Sequence, residues 1–320
     1  MTVLDTIGRT PLVPLARVVP AGCARILVKV EGTNPTGSMK DRMAQAMIGR
    51  AAADGRLPDG GTVVEYTGGS TGASLALVGA VRGYRTRIVT SDAFSDDKLR
   101  QMRAYGAQLT VIPAPGRLIT KTLIEDMIAA ARAISDRTGG YWTDQLTNVD
   151  SIAGYRPMGA EIGEQTGGRV DAFVQAVGTA AALRGAGGEL RRRHPGVRIV
   201  AVEPAESAVL SGGDPGAHRI EGIGIGYRPP MWDPDLVDEV VAVPTGDAEA
   251  MARRLAREEG LFAGTSSGAN VVAAIAVGRA LGPAATVVTL LVDSGLKYLT
   301  SGGYGTVGGT PDAGCRAAGG

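Results

Sequence analysis

Lys40 is the residue whose setting first suggests chemistry. In GSMKDR, Ser38 stands three residues before Asp41, a capping-box-like start for the helix MKDRMAQAMIGRAAADG, in which Met39, Met43, Ala46 and Met47 form one apolar face. Lys40 then falls in the first helical turn, where the helix macrodipole disfavours a cation and makes a neutral, nucleophilic amine easier to keep, as a Schiff-base amine must be. Most lysines near a helix start are merely solvated, so the neighbouring loops have to decide. TVVEYTGGSTGASLALV reads as a strand, a loop from Thr67 to Gly72 and a helix, whose glycines let backbone amides approach an anion. A second loop of this kind, at Gly178, Thr179, Ala180, Ala181 and Ala182, follows AFVQAV and opens onto another helix. Any tight strand-to-helix turn needs glycine, so either loop alone is weak; together they suggest a phosphorylated cofactor beside a carboxylate substrate. FAGTSSGAN brings Ser266 and Ser267 to a third helix start, where the ordinary role of a hydroxyl is an N-cap.

Other chemistries find little support. Cys23 and Cys315 lie near opposite ends of the chain and cannot make a zinc site or a disulfide framework. His194 and His218 are too far apart for the usual metal spacings. Gly303, Gly305 and Gly308 match the spacing of a dinucleotide-binding loop, but no helical pattern follows them, and in HRIEGIGIGYRPP the prolines 229 and 230 prevent a helix from opening.

The elements that must position these loops alternate. From residue 62, β-branched runs (TVVEYT, TRIVTS, QLTVIP, AFVQAV, RIVAVEP, EVVAVP, TVVTLLV) interleave with helical patterns, in two blocks separated by a helical segment near residues 148–168. An α/β fold of two lobes follows, each an open parallel sheet with helices on both faces, with a ligand in the cleft at the strands' carboxyl ends. A hydrophobic fraction of 44% in 320 residues suits a generous core, and a net charge of +1 without like-charge blocks favours a small-molecule partner over nucleic acid. The first residues carry no basic-then-apolar leader and no apolar run is long enough to span a bilayer, so no membrane partner and a cytoplasmic location are expected. The tail from Ser301 is rich in glycine and small residues and is expected to be disordered.

TIGRTPLVPL, KVEGTNPTGSMKDR, TGGSTG, RGYR, YGAQL, VGTAAALRG, AVEPAES, HRIEGIGIGY, EEGLFAGTSSGA and VDSGLKYLT, in this order and spacing, resemble the fold type II pyridoxal phosphate enzymes, within them the cysteine synthase and cystathionine β-synthase group. The resemblance implies a tryptophan synthase β-like fold. Residues 35–145 would form a smaller lobe carrying the substrate-carboxylate loop, and residues 1–34 with 146–300 a larger one carrying the phosphate loop. It implies pyridoxal 5'-phosphate bound by Lys40 as a Schiff base, with residues 178 to 182 at the phosphate and Ser266 at the pyridine nitrogen. Thr67, Gly68, Ser70 and Thr71 would meet the substrate carboxylate, Gln145 would reach it too, and Ser70 would also touch the cofactor. The implied reaction is β-replacement on an O-activated L-serine through an aminoacrylate, with sulfide or another thiol as nucleophile and a homodimer as the working unit. A β-lyase, or a synthase of another β-substituted alanine, is the alternative.

The chain departs from the family where Gly68 and Ser70 replace serine and asparagine, and where Ala180, Ala181 and Ala182 replace a glycine pair and a threonine. With fewer side-chain donors and no hydroxyl at Gly68, the substrate loop is expected to have more room than in an ordinary cysteine synthase. For a phosphate-bearing substrate, Arg219 and Arg228 are the candidate cations.

Overall fold

A computed structural model describes residues 1–117, 120–300 and Tyr304, so the expectations for the tail, including Gly303, Gly305, Gly308 and Cys315, lie outside the described residues. In chain order the strands are β1 Leu12–Pro14, β2 Arg25–Val30, β3 Thr62–Tyr66, β4 Arg85–Ser91, β5 Gln108–Ile112, β6 Tyr141–Trp142, β7 Ala172–Ala176, β8 Arg198–Pro204, β9 Glu239–Val243 and β10 Thr286–Leu291. They build two sheets, one ordered β1-β2-β10-β7-β8-β9 and the other β5-β4-β3-β6. All pairs are parallel except β1 with β2, a short antiparallel edge. The α/β reading therefore holds, with that edge as an addition. The β-branched runs are strands because both faces are covered: β3 and β7 are buried along their whole length, the pattern of a sheet with helices on each side.

The helices are α1 Lys40–Ala53, α2 Ser70–Arg82, α3 Asp96–Ala104, α4 Lys121–Thr138, α5 Asp150–Gln165, α6 Gly188–Arg193, α7 Thr245–Arg254 and α8 Thr265–Leu281. Met43 and Met47 of α1 are fully buried, as the apolar face requires. Arg42, one turn into α1, is pinned by Glu31 (Nε to Oε2, 2.7 Å) and Glu161 of α5 (Nη1 to Oε1, 2.8 Å), and Lys29 of β2 bonds Glu161 at 2.7 Å. Two cations and two anions thus cancel, which a buried ionic cluster needs.

The start of α1 corrects the capping-box expectation. Met39 occupies the cap position with helical backbone and no side-chain cap bond. Ser38 Oγ accepts only weakly from the Lys40 amide (3.3 Å), while the Asp41 carboxylate accepts from the Thr36 amide (2.8 Å), the Thr36 hydroxyl (2.6 Å) and the Ser74 hydroxyl of α2 (2.6 Å). Those three donors outcompete the single amide a capping box would offer. The Met39 amide meanwhile donates to Val292 O (3.0 Å), and Ser38 forms a β-bridge with Asp293. The turn before Lys40 is therefore held to the segment leaving β10.

Candidate active site

Lys40 opens α1 just after Ser38, which bridges Asp293 beyond the carboxyl end of β10. The loop after β3 starts at Thr67, whose hydroxyl accepts from the Gly69 amide (3.2 Å), and α2 begins at Ser70. Thr71 Oγ donates to Gln145 Oε1 at 2.7 Å, so the structure brings these two together. Gln145 is set in turn by Glu65, which accepts from its amide (3.0 Å) and from Thr143 Oγ (2.6 Å). Burial pushes the Glu65 carboxyl up to about 7, against these hydrogen bonds. Ser70 Oγ points to Asp293 Oδ2 (3.4 Å), which also accepts from the Tyr298 hydroxyl (2.7 Å).

Asp293 links that loop to the lysine. Lys40 is half-buried, and desolvation pushes its amine down to about 8, with Asp293 the opposing influence. Asp293 is itself raised by burial, and its Oδ1 is buried without a hydrogen-bond partner among the described residues. Lys297 is also pushed down to about 8 by burial and donates to Gln101 of α3. Glu65 and Asp293 were missed by the sequence reading, although each stood out as an acidic residue inside or directly after an apolar strand run.

The expectation of extra room at Gly68 is wrong. A Cβ built there would lie 2.4 Å from Cε1 and 2.6 Å from Cδ1 of Phe94, and one at Gly69 would lie 2.5 Å from Cδ of Lys98. Phe94 comes from the segment joining β4 to α3 and Lys98 from α3 itself; both lie against the loop, so the space a serine would use at Gly68 is already filled.

The turn after β7 fits an anion. The amides of Gly178, Thr179 and Ala180 have no acceptor among the described residues. Ala180 is in the left-handed region (φ 68°), and the chain then enters Ala181 and Ala182 and a π-helical turn, Leu183–Gly187, ahead of α6. Left-handed and right-handed residues in succession aim neighbouring amides at one point, the form of a phosphate-binding nest. Gly178 is there for space, since a Cβ would lie 2.4 Å from the Gly222 carbonyl oxygen. Ser266 is not an N-cap: α8 starts at Thr265 after Gly264, and Ser266 is buried in its first turn. β7 and β10 are neighbouring parallel strands, so residues 178–182 and Asp293 follow the large sheet's strands at the same, carboxyl end. An amine near neutrality, an anion nest and a buried hydroxyl at a helix start are the donor set that pyridoxal phosphate requires.

Arg219 and Arg228 are not brought to this site. Arg219 pairs with Glu249 (3.0 Å), and Arg228 donates to the carbonyls of Val209 and Leu210.

Residues 3–293 match the family described as pyridoxal-phosphate dependent enzyme. The cysteine synthase of Staphylococcus aureus is 38% identical over 301 residues, 93% of this chain and 95% of that protein. Among solved structures, an O-ureido-L-serine synthase superposes with a TM-score of 0.90 at 36% identity, covering 97% of each chain. A hydrogen sulfide-producing enzyme from Fusobacterium nucleatum superposes with a TM-score of 0.87 at 32% identity, covering 93% of this chain and 97% of that one. With a family match across nearly the whole chain and a cysteine synthase 38% identical over most of it, this protein belongs to the pyridoxal-phosphate dependent enzymes.

Proposed function

We propose that this enzyme carries out β-replacement on an O-activated L-serine, of the cysteine synthase kind, with Lys40 as its catalytic base. The observation that carries the reading is the placement of Lys40: a half-buried amine lowered to about 8, one carboxylate away from a loop where Thr71 and Gln145 are already paired. Bound pyridoxal phosphate supplies an electron sink at the α-carbon of the amino acid. Residues 178–182 would hold its phosphate by backbone amides and the Thr179 hydroxyl. Ser266 would be the neutral hydroxyl partner of the pyridine nitrogen, and a neutral partner would not hold that nitrogen protonated as a carboxylate would. Thr67, Gly68, Ser70 and Thr71, with Gln145, hold the substrate carboxylate, and the Lys40 amine takes the proton from the α-carbon.

The lobes are residues 35–145, and 1–34 with 146–300, and the enzyme works as a cytoplasmic homodimer with no membrane or nucleic-acid partner. No helix among the described residues is long and apolar enough to cross a membrane. Incubation of the holoenzyme with O-acetyl-L-serine, O-phospho-L-serine and a panel of nucleophiles including sulfide tests the reaction. A β-substituted alanine is the expected product. Pyruvate and ammonia without such a product would identify a lyase instead. Light scattering at working concentration checks the dimer.

A further inference from the structure

If the departing group carries anionic oxygen, a cation must stand near the substrate loop, and Arg219 and Arg228 are committed elsewhere. Lys98 is differently placed. It is buried on α3, and its stem crosses Gly69, where a Cβ would lie 2.5 Å from its Cδ and 3.4 Å from its Nζ. The lysine stem therefore occupies the space that any side chain at Gly69 would need. Lys98 Nζ lies 4.2 Å from the centroid of the Tyr298 ring. Its charge is the leading influence opposing the burial of Asp293, the carboxylate that receives Ser70 and acts on Lys40. One ammonium therefore borders the loop, the aromatic wall and the carboxylate beside the reactive lysine.

The ion-pair partner of Lys98 is Glu221, and the two differ in freedom: the side chain of Lys98 is 5% exposed and that of Glu221 is 33% exposed. Glu221 can turn into water, whereas Lys98 cannot leave without dismantling its packing on Gly69 and Tyr298. An incoming anion can take the place of Glu221 and leave the buried ammonium compensated throughout, which avoids stranding a charge.

We propose that Lys98 is a specificity-determining residue that receives the anionic oxygens of a phosphate-bearing β-substituent, with Glu221 as the internal counterion that the phosphate displaces. This inference rests on the β-replacement reading. A compact ammonium with three donors suits phosphate, which needs no planar fork.

The test compares kcat/KM for O-phospho-L-serine and O-acetyl-L-serine in wild-type holoenzyme, Lys98→Met and Glu221→Gln, with thermal unfolding of each. Lys98→Met is expected to lower the phospho-to-acetyl ratio about ten- to a hundredfold, the loss of one hydrogen bond to a charged group. Glu221→Gln removes the competitor and is expected to raise that ratio. Opposite movements support the subsite, since a merely structural ion pair would move the ratio the same way in both variants, in step with lost stability. A ratio unmoved in both variants while turnover persists overturns the inference and leaves β-replacement standing. Wild-type enzyme inert toward every O-activated serine overturns both.

Discussion

At the turn after β3, neither Gly68 nor Gly69 has a φ in the left-handed region, and Phe94 and Lys98 lean on the loop where their side chains would stand. At the turn after β7 the relation is reversed. Gly178 faces a backbone carbonyl at 2.4 Å from its would-be Cβ, while Ala180 holds a left-handed conformation that ordinarily belongs to glycine. The first loop has lost side-chain donors and been filled from outside, so its chemistry is set by neighbours distant in sequence. The second still offers its amides, and its departures from the family cost conformational energy without removing donors other than the one at Ala182. Substrate choice should therefore be more sensitive to residues around the first turn, and cofactor retention to the second.

The most severe break is removal of the group that, on the β-replacement reading, both turns serve. Lys40→Ala should abolish turnover and leave no pyridoxyl group fixed to the chain by borohydride, while thermal unfolding stays near wild type because the side chain is half-buried and fills no core position. Undiminished turnover in that variant would mean the two turns serve another centre.

Next in size is Gly68→Ser. Its hydroxymethyl group would overlap the Phe94 ring, and overpacking of this kind costs about 1–3 kcal/mol. Adding Phe94→Ala should recover part of that loss, a positive coupling in a double-mutant cycle measured by denaturant unfolding. Restoring the family's loop residues without shrinking Phe94 is expected to fail, and a Gly68→Ser protein as stable as wild type would refute the steric account.

A smaller effect separates Lys40 from an ordinary lysine by pH. An amine lowered to about 8 is charged below that pH and neutral above it, and only the neutral form attacks a carbonyl. The rate at which apoenzyme captures pyridoxal phosphate should rise through a midpoint near pH 8. An unperturbed lysine would place it roughly two units higher. Stopped-flow absorbance from pH 6.5 to 10 gives the midpoint.

Much of this comparison was legible before the fold was known. The βα alternation from residue 62 onward survived because β-branched runs and helical periodicity are local signals. Lys40, the two turns and Ser266 were read from short motifs and likeness to a family. β1 and β6 escaped because three- and two-residue strands carry no period, and β2 because no helical pattern follows it directly. What leans on the turns was not legible. Asp293 meets Ser70 across 223 positions and Lys98 meets Glu221 across 123, and nothing in one sequence indicates such pairings. The error about room at Gly68 had the same source: absence of a side chain was visible, and the ring filling its place was not.

The finest test concerns Ala180, where glycine should be added instead of removed. An L-residue in the left-handed region costs about 1–2 kcal/mol relative to the right-handed one, through contact of Cβ with the following carbonyl. Ala180→Gly relieves that cost and gives up about 0.4–1 kcal/mol, because glycine makes the unfolded chain more flexible. Ala180 is buried and belongs to the main apolar cluster, so loss of its methyl group removes a further part of the gain, about 0.8 kcal/mol. The net is a small change in stability, within about 1 kcal/mol of zero, far below the Gly68→Ser effect. The nest itself should be unaltered, since its amides and its φ are retained, and equilibrium dialysis should give a pyridoxal phosphate affinity within about threefold of wild type, a difference under 1 kcal/mol. If Ala180→Gly instead destabilised the protein by several kcal/mol, the methyl group would be the main contribution at this position and the left-handed strain negligible. The contrast between a turn shaped by its neighbours and a turn that stores strain would then fail at its second half.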